Sequence, residues 1–134
     1  MPVTLTEGVK KLFLAPNFAH LATLMSDGSP QVTPVWVDLD SDRILVNTAE
    51  GRVKPRNVRR DPRVAISIVH QQNPYSAAFI RGRVVKISHD GADASIDKLA
   101  KKYLGQDTYP FRQPGEQRLV LLIEPEHVSS VMTD

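Results

Sequence analysis

ILVNTAEGRVKPRNVRRDPRVAISI, residues 44–68, is the stretch of the sequence that decides the fold. Both of its ends are rich in apolar, β-branched residues, which predicts a strand on each side of a basic centre. The centre is expected to form a short helix, because Pro55 falls in the first turn, where no intrahelical N–H donor is needed. Asp61 and Pro62 predict the end of that helix. A strand, a basic helix and a second strand are therefore expected in the middle of the chain.

The N-terminal part predicts one helix followed by strands. Thr4 and Glu7 fit a capping box in front of apolar residues at helical spacing. Residues 18–25 are apolar and β-tolerant, the SDGS that follows is a turn signal, and QVTPVWV resumes an extended pattern. A second turn, DLDSD, leads into RILVNT at residues 43–48. We therefore expect a three-stranded meander.

The C-terminal half predicts more strands and one more helix. Residues 63–69 are typical of a buried strand, and residues 76–88 of a long strand in which Gly82 marks a bend or bulge. Residues 90–104 place apolar side chains on one helical face, and Gly105 follows. RLVLLIE and HVSSVM predict two short final strands. The expected fold class is mostly β with peripheral helices (α+β), arranged as a small antiparallel barrel.

The composition indicates one domain spanning residues 1–134. The chain is 41% hydrophobic and 24% charged, and a chain of this size buries roughly two thirds of its unfolded surface. No stretch approaches the roughly 18 apolar residues that a membrane-spanning helix needs, so no membrane span is expected. The absence of cysteine excludes disulfides, thiolate nucleophiles and Cys-based metal sites, and it indicates a cytoplasmic location.

The basic residues are concentrated in one segment. Residues 51–63 hold six of the seventeen basic residues and one acidic residue, Asp61, so the segment carries +5 and the rest of the chain −3. A single basic patch on a slightly acidic protein favours one localised anion over a long polyanion. A nucleic-acid partner is not expected, because aromatic residues that could stack on bases are few.

The residues for hydrolytic or metal chemistry are missing. The serines are not in a G-x-S-x-G motif, and the histidines occur singly, without a partner at metal-ligand spacing: His20, His70, His89 and His127. His20 falls in an apolar strand, where a hydrogen-bonded structural histidine is the more common role. No metal site is therefore expected, and no catalytic residue is assigned.

A phosphate site is predicted at the start of the basic helix. Free backbone N–H groups there favour anions, an Arg fork can bind two oxygens, and a Lys adds a point charge. The candidate residues are Asn47, Thr48, Arg52, Lys54, Arg56 and Asn57. A solvated cationic helix face remains the alternative on spacing alone.

Three runs of the sequence carry a family resemblance: residues 21–37, 44–68 and 73–84. Together they resemble the pyridoxamine 5′-phosphate oxidase-like split β-barrel superfamily. Within it, the chain is most similar to the actinobacterial deazaflavin-dependent oxidoreductases, which use coenzyme F420. The resemblance extends over residues 5–131.

The resemblance implies a homodimer with two cofactor sites at its interface. It implies that Arg52 and Lys54 bind the phosphate and that Tyr75 lies near the site, supplied by the partner chain. The polar contacts at a strand end and the strand beneath the flavin-like ring are matched by Asn47, Thr48, Gln31, Thr33, Val35 and Trp36. For Trp36 and Tyr75, ordinary packing is an equally good interpretation.

The activity that the resemblance implies is hydride transfer from reduced coenzyme F420 to an electron-poor, conjugated small molecule. Residues 128–134 lack the Arg- and Trp-containing motif with which pyridoxamine phosphate oxidases hold their substrate, so another substrate is expected. An FMN-dependent oxidoreductase and a non-catalytic protein that binds flavin, haem or tetrapyrrole are the alternatives. Arg56, Arg59 and Arg60 exceed the needs of one phosphate, which favours F420 because its polyglutamate tail is anionic.

Overall fold

A computed structural model of the chain describes residues 2–133. These residues form three helices and seven strands. In chain order they are α1 (Glu7–Leu14), β1 (Ala19–Leu24), β2 (Pro30–Val35), β3 (Val37–Asp40), β4 (Arg43–Ala49), α2 (Val53–Arg60), β5 (Arg63–His70), β6 (Asn73–Ser88), α3 (Ala92–Leu104) and β7 (Arg118–Val131).

The strands form one antiparallel sheet that closes on itself. Their order is β2-β1-β5-β6-β7-β4-β3, so β2 and β3 are the two edge strands. Along the chain, however, only Trp36 separates the end of β2 from the start of β3. Because consecutive Cα atoms lie about 3.8 Å apart, the two edges must meet at this residue. The sheet is thus a split barrel with helices around it, and the predicted fold class is confirmed.

The predicted meander is wrong in one respect. The β1–β2 hairpin is present, with Leu24 opposite Pro30. The strand predicted to run on through Val37 is divided at Trp36, and β4 pairs with β3 and β7 instead of with β2. A local reading of turns could not detect this, because the corner contains no Gly and no turn signal.

The C-terminal end forms one long strand where two short ones were expected. β7 runs through Pro125, which lies opposite Gly82 where the β6–β7 register shifts. A proline is tolerated in a strand at such a bulge because no ladder hydrogen bond is required there. The bulge predicted at Gly82 is confirmed, and its cause is steric: a Cβ on Gly82 would lie 2.1 Å from the Glu124 carbonyl oxygen.

The three helices pack around the barrel. α1 is capped by Thr6, whose Oγ1 accepts a hydrogen bond from Val9 N, and not by Thr4 as the capping box predicted. Its buried Val9 and Phe13 belong to the main core, together with the inward residues of the strands. α3 packs on the other face of β7, where Ala92 contacts Val120 and Leu122. α2 connects β4 to β5 at one end of the barrel.

Candidate functional site

A cavity of about 250 Å³ lies where β2 ends, β4 ends and α2 begins. One part of its lining is cationic and the other is aromatic or apolar. The lining residues are Phe18, Pro34, Val35, Trp36, Asn47, Arg52, Lys54, Ile96, Tyr109, Phe111 and Arg118. The cavity therefore suits a ligand with an anionic group at one end and a flat apolar group at the other.

The cationic part holds three basic side chains and one carboxylate. Arg52 lies 3.7 Å from Glu116 and Arg118 lies 3.1 Å from it, so the two guanidinium groups share a single acid. Lys54 is half-buried, and its Nζ donates a hydrogen bond to the Thr33 hydroxyl at 3.4 Å. The pKa of Lys54 is lowered, first by burial and then by the charges of Arg52 and Arg118. The four groups carry a formal +2, which a bound anion would relieve.

Arg118 is the most deeply buried of the three basic side chains in this cluster. Strand pairing places Arg118 opposite Ala49, two residues after Asn47, so its side chain enters the site from β7. Its Nε donates to Asn47 Oδ1 at 2.9 Å, and its guanidinium lies 5.1 Å from the centre of the Tyr109 ring. The side chain is only 3% exposed. These contacts fix the position of the charge before any ligand arrives.

The barrel corner positions Trp36 at the aromatic end. Its ring stacks on Tyr103 at a centroid distance of 5.2 Å. The Tyr103 hydroxyl accepts from Val37 N and donates to Asn17 O, and burial raises the pKa of Tyr103 to about 12. Lys102 donates to the carbonyl of Val37, and burial lowers its pKa to about 8. The end of α3 thus holds both sides of the corner.

The aromatic wall continues into the segment between α3 and β7. The edge of Tyr109 meets Trp36 at 6.0 Å, and Phe111 meets Tyr109 at 5.7 Å between ring centroids. Phe18 packs on Tyr103 from the other side at 5.4 Å. Phe18 and Phe111 are each more than half exposed at the cavity. Two large apolar rings that remain exposed beside a cavity are typical of a ligand-binding mouth.

Several of the sequence-predicted residues lie together in this site. Val35, Trp36, Asn47, Arg52 and Lys54 line the cavity, and Lys54 reaches Thr33. Gln31 precedes Thr33 by two positions, so strand alternation places both on the same face of β2. Their assignment to a cofactor stays a prediction.

Thr48 and Asn57 lie elsewhere, and the role of Tyr75, which is expected from the partner chain, stays a prediction. Strand alternation turns Thr48 away from the side that Asn47 occupies. Its side chain is fully buried, and its hydroxyl has no hydrogen-bond partner within residues 2–133. Asn57 is 2% exposed and donates to Thr23 Oγ1 at 2.9 Å, so it connects α2 to β1. Tyr75 is 75% exposed on β6 and is not among the cavity residues of the described chain.

The other arginines of α2 are occupied within the chain. Arg59 forms two hydrogen bonds with Glu50, at 2.7 and 2.8 Å. Arg60 donates to Leu24 O and to Asn57 Oδ1, both at 2.8 Å. Arg56 alone of the three has no ion-pair or hydrogen-bond partner within residues 2–133. The surplus of positive charge inferred from the sequence is thus smaller than its count suggests.

Sequence reasoning missed several residues of the site, among them Tyr109, Phe111, Glu116 and Arg118. Arg118 is the first residue of a predicted strand, and the other three fall in a segment for which no helix or strand is predicted. Their distance of more than 50 residues from Lys54 along the chain left no local signal. His20, expected as a structural histidine, lies exposed on β1. It lines a second cavity, here called the outer-face cavity, together with Val32, Phe79 and His127.

Within residues 2–133, no group of three or more His, Asp or Glu side chains could hold a metal ion. None of the helices in this range is both long and apolar enough to cross a membrane.

The sheet topology and the helices around it define a split-barrel protein, with one cationic and aromatic cavity at the barrel corner. The family model described as pyridoxamine 5′-phosphate oxidase matches residues 5–132. The chain therefore belongs to the pyridoxamine 5′-phosphate oxidase-like family, as the sequence resemblance indicated.

Solved structures agree with this assignment. An F420 reductase is 31% identical, with a TM-score of 0.81 over 93% of this chain and 98% of that one. A conserved hypothetical protein from Mycobacterium tuberculosis is 20% identical, with a TM-score of 0.71 over 97% and 86%. General stress protein 26 from Bacillus anthracis is 14% identical, with a TM-score of 0.68 over 96% and 94%. The last two show the shared fold alone. The family match and the F420 reductase support an oxidoreductase-like protein with a flavin-like cofactor.

Proposed function

We propose that the protein is an oxidoreductase that transfers a hydride from reduced coenzyme F420 to an electron-poor, conjugated small molecule. The observation that carries the proposal is the cluster of Arg52, Lys54 and Arg118 around one carboxylate, Glu116. The similarity to an F420 reductase over almost the whole of both chains supports the choice of cofactor.

The residues present fit such a cofactor. A phosphate monoester, as in FMN, carries about −1.5 to −2 charge at neutral pH. The phosphate of F420 is a diester with one negative charge, to which the acidic tail adds more, so the formal +2 of the cluster suits either cofactor. Arg52 can bind two phosphate oxygens, and Lys54 adds a point charge beside the Thr33 hydroxyl. A flat ring attached to that phosphate would find the aromatic surface of Trp36 in the same cavity. This chain thus offers contacts to both ends of the ligand, and the partner chain would complete the site with Tyr75.

The protein's part in the reaction is binding, orientation and exclusion of water. The bound cofactor would supply the hydride. Arg118, held by its hydrogen bonds to Asn47 and Glu116, gives the phosphate subsite a positive charge in a fixed position. Trp36, held at the corner by Tyr103, sets the depth at which a ring can lie. The proton that accompanies the hydride would come from solvent, and we assign no side chain as its donor.

We further propose that the working unit is a homodimer. The outer face formed by β2, β1, β5, β6 and β7 exposes Val32 (62%), Phe79 (46%) and Val131 (49%). It also carries a cavity of about 500 Å³ that Phe79 helps to line. An apolar outer face of this kind is typical of a subunit interface. Sedimentation should show two chains per particle, and a monomer that binds cofactor tightly would contradict the shared site.

An FMN-dependent reaction is the second candidate. FMN would present its phosphate to the same cluster, and the pairing of Arg59 with Glu50 and of Arg60 with Leu24 weakens the charge argument for a polyglutamate tail. The two cofactors are separated by titrating the purified protein with each of them and following fluorescence. The proposal expects tighter binding of F420 and, with reduced F420, turnover of a conjugated carbonyl or quinone. Tighter binding of FMN would transfer the proposal to the second candidate.

A further inference from the structure

The segment between α3 and β7, residues 105–117, carries the outer part of the aromatic wall. Its backbone consists of turns and irregular structure, beginning at Gly105, which ends α3 with a left-handed φ of 72°. Such a segment has no ladder of backbone hydrogen bonds to fix its place, so its position depends on individual contacts. Those contacts therefore decide where Tyr109 and Phe111 lie.

A pair of carboxylates on α3 makes the main contacts. Asp97 Oδ1 accepts from Tyr109 N at 2.8 Å and from Arg112 at 2.7 Å. The other terminal nitrogen of Arg112 donates to Asp93 Oδ1 at 2.8 Å. Asp93 and Asp97 are four residues apart on one helix, so they lie on the same face and the planar Arg112 fork bridges them. None of the three charged side chains lines the cavity itself.

The rings held by these contacts meet the cavity from the side opposite the barrel wall. Tyr109 touches Trp36 with its edge and covers the Arg118 guanidinium with its face. Phe111 extends this surface outward and is 57% exposed. A flat ligand lying against Trp36 would bury part of the exposed area of Phe111, and such contacts between aromatic rings favour binding.

We propose that residues 105–117 form an aromatic flap in which Phe111 and Tyr109 bind the ring of the phosphate-bearing ligand, with Asp97 and Arg112 as the positioning residues. This inference rests on the proposed function, and it adds a division of work within the site. The flap recognises the ring, and the cluster of Arg52, Lys54 and Arg118 recognises the phosphate. Arg112 acts through Phe111 and Tyr109 and does not touch the ligand.

The test uses matched probes on the intact protein: FMN with riboflavin, and F420 with its phosphate-free deazaflavin. Phe111→Ala and Arg112→Ala should each weaken the phosphate-bearing and the phosphate-free compound by the same factor, about 3- to 10-fold. Lys54→Ala should weaken only the phosphate-bearing compound. Arg112→Lys should restore part of the loss, because an ammonium group keeps the charge but not the fork.

Arg63→Ala is the control, because Arg63 forms a similar exposed ion pair with Asp61 at 2.7 Å, outside the site. It should leave all four affinities unchanged. Wild-type affinities in Arg112→Ala would overturn the positioning role. Equal losses for FMN and riboflavin in Lys54→Ala would overturn the division of work.

A second measurement separates failure of the flap from failure of the proposed function. Trp36 is the only tryptophan of the chain, and its fluorescence needs no ligand. Because Tyr109 packs against the Trp36 ring at a centroid distance of 6.0 Å, Arg112→Ala should increase quenching of Trp36 by acrylamide, and Arg63→Ala should not. If no flavin or deazaflavin binds the wild-type protein, the proposed function fails, and unchanged quenching in Arg112→Ala overturns the flap independently.

Discussion

The two ends of the basic segment contrast sharply in how their charges are used. At the front, Arg52 and Lys54 face a cavity, and the pKa of Lys54 is lowered by burial and by neighbouring cations. At the rear, Arg59 is paired with Glu50, which lowers the pKa of that carboxyl, and Arg63 is paired with Asp61, whose pKa falls to about 2. Both ends look equally basic in the sequence.

The difference teaches that a group of cations becomes a candidate anion site when it lacks partners, not when it is numerous. The rear arginines form exposed ion pairs, which contribute little and are screened by salt. The front cations share Glu116 and gain a third member, Arg118, from a strand far away along the chain. An anion would therefore be attracted to the front and not to the rear.

The largest expected effect comes from removing the buried member of the front cluster. Arg118→Leu leaves Asn47 and Glu116 without their hydrogen-bond donor, and loss of one partner from a buried pair costs roughly 3 kcal/mol. The free energy of unfolding in urea should fall by about that amount. Arg63→Ala, at the exposed rear, should leave it almost unchanged. Equal stabilities of the two variants would break the comparison.

The next effect concerns binding. Lys54→Ala should weaken binding of the phosphate-bearing cofactor by about 1.5–3 kcal/mol, the scale of a charged hydrogen bond. Arg59→Ala is the matched control, because it also removes one positive charge from α2. Fluorescence titration should show wild-type affinity for Arg59→Ala, and circular dichroism should show both variants folded. Equal cofactor affinity in Lys54→Ala and the wild type would sink the assignment of Lys54.

A smaller effect is expected from pH. The pKa of Lys54 in the free protein lies below its ordinary 10.5, and a bound anion would raise it, so binding takes up a proton in the alkaline range. Affinity should therefore decline as pH rises through the alkaline range, at a lower pH than an exposed lysine would require. Lys54→Arg should remove this decline, because an arginine stays charged. The same alkaline decline in both proteins would assign it to another group.

The smallest effect tests the F420 tail. If a polyglutamate tail meets free cations, the affinity for F420 should fall with salt more steeply than the affinity for FMN. The pairing of Arg59 and Arg60 within the chain assigns this effect to Arg56. Arg56→Ala should reduce the salt slope for F420, and the Arg59→Ala, Arg60→Ala double variant should reduce it less. A larger reduction in the double variant would mean that the rear pairs open when the tail binds.

Much of the fold could be predicted from local patterns. The basic helix with Pro55, the hairpin around SDGS and the bulge at Gly82 each depend on neighbouring residues or on one steric requirement. The corner at Trp36 could not be predicted, because it is produced by closure of the whole sheet. The continuity of β7 through Pro125 also depends on the partner strand, where Gly82 leaves room.

The candidate site divides in the same way. Arg52, Lys54 and Asn47 lie within eight residues of one another in the sequence, and a strand followed by a helix start brings them together. Arg118 reaches the same place only through the register of β4 with β7, which no local pattern specifies. Thr48 was predicted beside Asn47 because the two are adjacent, and strand alternation is the reason that its side chain points the other way.

The central claim is that the front cluster holds the cofactor's phosphate, and a crystal structure of the protein with F420 or FMN tests it most directly. We expect the phosphate to lie within hydrogen-bond distance of Lys54 Nζ and the Arg52 guanidinium, with the ring beside Trp36. A phosphate bound at Arg59 and Arg60 instead, or a ring in the outer-face cavity beside His20, would contradict it.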